Sequence, residues 1–100
     1  MAVAQVSVVP VGTPSASISQ HVADCLDVLE ATGLKYELTP MSTVIEGDLR
    51  AILEAIAGMH ESTFGDGVVR VLTSISIDDR RDKPLSMAGK VAAVREKRGK

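Results

Sequence analysis

His21 and His60 are the only imidazoles in a chain of 100 residues. An imidazole can exchange a proton near neutrality or hydrogen-bond the edge of a heteroaromatic ligand. Ser15 and Ser17 lie just before His21, and their hydroxyls can cap a helix or hold a ligand's polar atom. Met41 and Thr43 follow Pro40. A thioether is soft enough to pack on a flat ring, and a threonine hydroxyl supplies one polar edge. Ile45, with Leu38, would complete an apolar slot. These residue types describe a pocket for a small heteroaromatic molecule better than they describe a catalytic centre. The same residues also have ordinary structural uses, as helix caps, core filler and a helix-terminal histidine.

Other chemistries find less support. Two histidines and one cysteine do not show metal-ligand spacing. Cys25 falls in the middle of an apolar helical stripe, where a small buried hydrophobe is expected and a thiolate is disfavoured. The chain contains no Walker-type glycine loop and no G-x-S-x-G.

The elements that must position these residues follow from periodicity. Val3–Val11 alternates as a strand and is interrupted at Gly12-Thr13-Pro14-Ser15. Ser17 and Gln20 have capping-box spacing, and Ile18, Val22, Cys25, Leu26 and Leu29 form a helical stripe that stops at Gly33. Leu34–Leu38 reads as a second strand, closed by Pro40, and Thr43–Ile45 as a short third. Glu46-Gly47-Asp48 opens a second helix with the stripe Leu49, Ile52, Leu53, Ile56 and His60. After a Gly65-Asp66-Gly67 turn, Val69–Ile77 is the most regular strand. A charged loop, Asp78–Lys83, leads to a last helix from Ser86 to about Arg98, with Met87, Val91 and Val94 on its apolar side.

The order βαββαβ plus a C-terminal helix predicts an α+β, ferredoxin-like sandwich. Its antiparallel sheet has the order 4-1-3-2, with both main helices on one face. Reversing the chain after each element brings the start of helix 1, the connection between strands 2 and 3, and the end of helix 2 to one end. His21 and His60 are therefore expected around one hollow with Ser15, Ser17, Met41 and Thr43. Tyr36 should face the helices. Val9 and Leu72 should face away from them, which predicts that another subunit covers that face or an edge.

Length and composition predict one domain, residues 1–100, with 45% hydrophobic residues and Tyr36 and Phe64 as the only aromatics. No run approaches the ~18 apolar residues of a membrane span, and a lone cysteine favours a reducing compartment. A cytoplasmic location is expected, with no membrane partner. From Arg80 to Lys100, eight Lys or Arg face only Asp82 and Glu96, so this segment carries +6 and the rest −8. Nucleic acid is not expected as a partner, because the net charge is −2 and the open sheet face carries no aromatic for base stacking.

The runs VVPVGTPSASIS, YELTPMSTVIEG, RVLTSISIDDRRDK and KVAAV, in this order and with little between them, resemble the thiamine-binding protein family of the YkoF-like superfamily. The resemblance covers nearly the whole chain. It implies a ferredoxin-like fold, homodimers or homotetramers, and binding of thiamine or its hydroxymethylpyrimidine part, with no required cofactor and no established enzymatic activity. The pocket read from the residues suits that ligand class, so the ligand-binding residues are expected among Ser15, Ser17, His21, Met41, Thr43, Ile45 and His60. Two other readings are weighed beside it. One is a regulatory or scaffolding oligomer that binds a small anion or a partner protein. The other is an enzyme that acts on a pyrimidine with a histidine as acid or base.

Overall fold

Strand β1 (Ala2–Pro10) buries Ala2, Ala4, Val6 and Val8 on one face and leaves Gln5 exposed on the other, as its alternation requires. The computed structural model describes residues 1–15, 17–65 and 67–99. After β1 come α1 (Ser19–Glu30), β2 (Lys35–Leu38), β3 (Thr43–Gly47), α2 (Leu49–Thr63), β4 (Val71–Asp79) and α3 (Met87–Lys97). The four strands form one antiparallel sheet in the order β2-β3-β1-β4. This is the expected ferredoxin-like α+β order, read from the other edge.

Residues directly opposite one another in an antiparallel pair share a face. Val6 lies opposite Thr43 in β3 and Ile75 in β4, and Ala4 lies opposite Ile45 and Ile77. Tyr36 is opposite Ile45 and packs against the core, so it faces the helices as expected. The core joins the inward residues of β1 and Ile45 to Cys25 and Leu29 of α1 and to Ile52, Ala55, Ile56 and Met59 of α2.

The ends of the helices differ in part from expectation. α1 begins at Ser19 with Ile18 at its N-cap, and no side chain caps it. The Ser17–Gln20 capping box does not form, because Gln20 falls at the second helical position and not the third. Ser15 Oγ instead accepts the Ser17 N–H at 3.1 Å, and the Gln20 amide donates to Asp24 at 2.9 Å. Gly33, at φ +77°, supplies the left-handed stop. α2 is capped by Asp48, which accepts the Ala51 N–H at 3.4 Å. Its buried stripe is Ile52, Ala55, Ile56, Met59 and Thr63, so Leu53 and His60 sit on its flank and not at its centre. A Cβ at Gly58 would lie 3.1 Å from Val28 Cγ1, so glycine there allows α1 and α2 a close approach.

The fourth strand starts at Val71, two residues later than expected, and Val69 is exposed before it. The expected turn at Gly65-Asp66-Gly67 includes Asp66, which lies outside the described residues. α3 is capped by Ser86, whose Oγ accepts the Gly89 N–H at 3.0 Å. Its Met87 N–H donates to the Glu46 carboxylate at 2.7 Å, and Lys90 pairs with Asp78. Glu46 also lies 3.5 Å from Lys35. These ties hold the first turn of α3 at the open face of the sheet, and Met87 is buried there. Val91 and Val94 are exposed, so the apolar side expected of this helix is not covered by the described residues of the chain.

Leu29 is fully buried at the centre of this core. Leu29→Ala should cost about 2–5 kcal/mol of unfolding free energy, whereas Val94→Ala should change it by less than about 0.5 kcal/mol. Urea unfolding followed by circular dichroism checks both values.

Candidate functional site

The two main helices meet where α2 ends. The Cys25 thiol donates to the Met59 carbonyl oxygen at 3.5 Å and lies 3.4 Å from Thr63 Oγ1. Thr63 donates to the same carbonyl at 3.0 Å. Ser62 Oγ donates to that carbonyl as well, at 2.9 Å, so the buried thiol and the hydroxyls at the C-terminal end of α2 find their partners there. α2 therefore stops level with Cys25, while α1 continues toward its own start through Val22 and Ile18.

The overhang leaves a cavity of about 150 Å³. Its floor is Val6 and Val8 of β1 with Cys25 and Met59, and its wall is Ile18 and Val22. The lip is the connection between β2 and β3, from Leu38 to Thr43. That lip is held in shape by Thr39. Its N–H and Oγ1 both donate to the Ser42 carbonyl at 2.8 Å, and Oγ1 accepts the Ser42 N–H at 3.1 Å. Met41 stands at the outer edge, 86% exposed, and Thr43 lies deep and buried. Among the described lining residues none carries a carboxylate, ammonium, guanidinium or imidazole. The cavity is thus apolar with a few hydroxyl groups, the usual make-up of a small-molecule pocket.

Of the expected site residues, Met41 and Thr43 line this cavity. Ile45 lies two residues further along β3 and is fully buried in the core. Ser15 and Ser17 are exposed before α1, and Ser17 Oγ lies 3.4 Å from Ser19 Oγ. His21 is half-buried in the first turn of α1 and is not a lining residue. His60 lies elsewhere. Its Nδ1 and Thr73 Oγ1 share a hydrogen bond at 2.7 Å, and Phe64 packs edge-on against its ring at 5.4 Å between centroids. It lines a second groove between α2 and β4, with Leu53, Ile56, Ala57, Glu61 and Ile75. The single hollow expected around both imidazoles is therefore not formed. The ends of α1 and α2 do come to the same end of the sheet, but α2 turns this flank toward β4.

Several lining residues were not singled out by sequence. Ile18, Val22 and Cys25 belong to the helical stripe expected in the core, and the stripe expected of the second helix does not include Met59. Thr39 follows the expected second strand, Leu34–Leu38, and alternation alone gives it no role in a site. Its position immediately before Pro40 was the available signal, since a threonine in a turn commonly folds back on nearby backbone.

The charged loop lies at the other end, with Asp48. Its groups pair locally. Arg80 binds Asp82 through two hydrogen bonds, and Arg81 binds Asp79 at 2.9 Å. The hydrogen bond from Arg81 holds the Asp79 carboxyl below its ordinary 3.8, and the bond from Arg80 does the same for Asp82. A depressed carboxyl pKa stabilises the fold above the unfolded value, and that contribution is lost as pH falls through the native value. Both carboxyls are solvent-exposed, so the effect on stability is small.

This chain matches the family described as thiamine-binding protein over residues 4–95. It is 46% identical over 98 residues to the UPF0045 protein YqgV of Bacillus subtilis, covering 94% of each chain. It is 39% identical over 98 residues to a UPF0045 protein of Methanothermobacter thermautotrophicus, covering 97% of this chain and 99% of the other. The chain belongs to the thiamine-binding protein family. Among solved structures, MJ1052 of Methanocaldococcus jannaschii superposes with a TM-score of 0.86 at 39% identity, over 93% of this chain and 94% of that one. TM0486 of Thermotoga maritima, provisionally named for thiamine biosynthesis or salvage, superposes with a TM-score of 0.77 at 19% identity, over 94% and 98% of the two chains. That last likeness shows the fold alone.

Two outcomes are expected. The native Cys25 thiol should react with a soluble thiol reagent at least about a hundredfold more slowly than in urea, because it is buried and hydrogen-bonded. Absorbance-detected labelling measures this. In an NMR titration, Arg80→Ala should raise the Asp82 midpoint toward 3.8 and leave Asp79 depressed.

Proposed function

We propose that this protein binds thiamine, or its hydroxymethylpyrimidine part, as a non-enzymatic homo-oligomer in vitamin salvage, transport or regulation. The observation that carries the reading is the uncharged cavity beneath the Thr39–Ser42 turn in a chain of the thiamine-binding protein family. The provisional name of the Thermotoga maritima structure points the same way.

The cavity's size and polarity suit the pyrimidine. A cavity of roughly 150 Å³ holds one benzene-sized ring. An aminopyrimidine is a neutral flat ring that needs apolar walls and a few hydrogen bonds at its edge. Val6, Val8, Ile18 and Val22 offer the walls, and the hydroxyl of Thr43 the polar edge. The thiazolium of thiamine is a cation. Without a carboxylate in the described lining, it is better left in water outside Met41 than drawn inside. The described lining also offers no acid–base pair, which favours binding over turnover. For the rival anion-binding reading, the arginines of the charged loop are already engaged by Asp79 and Asp82.

Calorimetry and thermal shift with hydroxymethylpyrimidine and with thiamine test the proposal. Either ligand should raise the melting temperature. Val22→Phe, which fills the cavity, should abolish the shift. Thr43→Val should weaken binding about tenfold, the usual effect of losing one hydrogen bond. His60→Ala should leave affinity within about twofold, since His60 lies in the other groove. No shift with either ligand, or full binding by a folded Val22→Phe variant, rejects this assignment.

A further inference from the structure

We infer that the cavity reads its ligand with the main chain of β1. The Val8 N–H donates to a ring nitrogen, and the Val8 carbonyl accepts from an amine on the adjoining ring carbon. The ligand class is then an aminopyrimidine, and the corresponding oxo ring is refused. This rests on the pocket reading above and adds the groups that choose the ring.

The sheet comes apart at this end. Pairing of β1 with β3 stops where Val6 faces Thr43, whereas pairing of β1 with β4 runs on to Pro10 opposite Val71. The cause lies in the lip. Thr39 holds Ser42 through its backbone N–H and its hydroxyl, which closes the turn onto the end of β2 instead of extending β3 along β1. Ser7, Val8 and Val9 line the cavity on one side of this split, and Leu38 to Thr43 line it on the other.

The backbone groups inside the split can be identified. The Val11 N–H donates to the Arg70 carbonyl at 2.8 Å, one step beyond the pair Pro10 and Val71. Bonded and non-bonded pairs alternate in an antiparallel ladder. Gln5, Ser7 and Val9 therefore spend their backbone groups on β4, and Ala4, Val6 and Val8 turn theirs toward β3. The other side of the split gives the same parity. The Thr39 N–H bonds the Ser42 carbonyl, so Leu38 and Thr43 form a non-bonded pair and Thr43 turns its groups to Val6. Ala4 and Val6 thus meet Ile45 and Thr43. Val8 meets no strand on that side, and no described turn or loop residue bonds its backbone. Yet Val8 is only 8% exposed. A buried N–H and carbonyl without partners are rare and costly. Here they stand side by side in a cavity, next to the Thr43 hydroxyl. Pro10, the next residue of that parity, has no N–H, so Val8 is the last residue of β1 to offer both groups.

Direction decides which ring fits. β1 runs toward the end where the lip stands, so the Val8 carbonyl lies nearer the mouth than the Val8 N–H. The substituent that joins the pyrimidine to the thiazolium must leave through the mouth, past Met41. The amine sits on the ring carbon next to that substituent, and the adjoining ring nitrogen lies one step deeper. The amine therefore meets the carbonyl, and the nitrogen meets the N–H. An oxo ring held the same way sets oxygen against oxygen and N–H against N–H. Turning that ring over repairs both contacts but drives its substituent into the floor at Cys25 and Met59. A site built to hydrogen-bond one pattern of donor and acceptor leaves its own buried groups unpaired when offered the other.

Calorimetry and NMR on the whole protein test this. Hydroxymethylpyrimidine should bind at least about a hundredfold more tightly than its oxo counterpart, and about tenfold more tightly than the analogue that lacks the amine. With an isotope-labelled ligand, a coupling across the hydrogen bond should link the ring nitrogen to the Val8 amide nitrogen. Ligand should also slow exchange of the Val8 amide at least about tenfold more than that of Val9, whose N–H is already held by β4. Equal affinity for the amino and oxo rings, or tight binding with neither a Val8 coupling nor slowed Val8 exchange, overturns this inference and leaves the pocket reading in place. Binding of no ring at all removes the pocket reading and this inference with it.

Discussion

The contact of Cys25 with Met59 and Thr63 fixes where the two helices stop being neighbours, and the rest of the site follows from it. A thiol and two hydroxyls share one carbonyl at the end of α2. Their partnership keeps three polar atoms satisfied inside an aliphatic core, where an unpaired group would cost about 1–3 kcal/mol. One turn further along α1, Gly58 lets Val28 approach closely and locks the helix pair. Toward its start, α1 extends past the end of α2 and spans the gap between β1 and the Thr39–Ser42 turn. The cavity is the space under that overhang.

The near absence of aromatics shapes the same region. With Tyr36 packed at the flank of the core and Phe64 outside it, the interior is filled by valine, isoleucine, leucine, methionine and alanine. Branched aliphatic side chains fill the space between parallel layers well, but they reach a short way. At the end of a two-layer sandwich they leave a gap that one large ring would have closed. The methionine at the lip is unconstrained enough to fold over a ring placed there.

The order of strands and helices was legible because each strand alternates and each helix carries a stripe ended by glycine or proline. Tyr36 facing inward and the 4-1-3-2 sheet follow from that pattern alone. The site was legible by height along the sandwich and not by lateral position. Topology places His21, Met41, Thr43 and His60 toward one end, but it does not say which flank of α2 carries His60. That was decided by the burial of Ala55 and Met59, two residues whose small size and flexibility make them weak markers of a helix face. Ile45 is expected with Leu38 and Met41 in an apolar slot, and the twofold strand repeat does not reveal that the floor ends one step earlier, at Thr43. The expected capping box failed by a single position of helix register, which periodicity does not fix.

The open side of the molecule raises the question of what a small two-layer domain does with half its sheet. The outward face of β1 and β4 mixes Ser7, Ser74 and Ser76 with Val9 and with Leu72, which is 62% exposed. α3 touches this face only through its first turn, where Met87, Glu46 and Lys90 anchor it, and then leaves Val91 and Val94 uncovered. An isolated helix of 11 residues is marginal in water. Val9, Leu72, Val91 and Val94 therefore form an apolar surface on the open side that the fold itself leaves in water, because α3 is tied down only at its start and the sheet has helices on its other face alone.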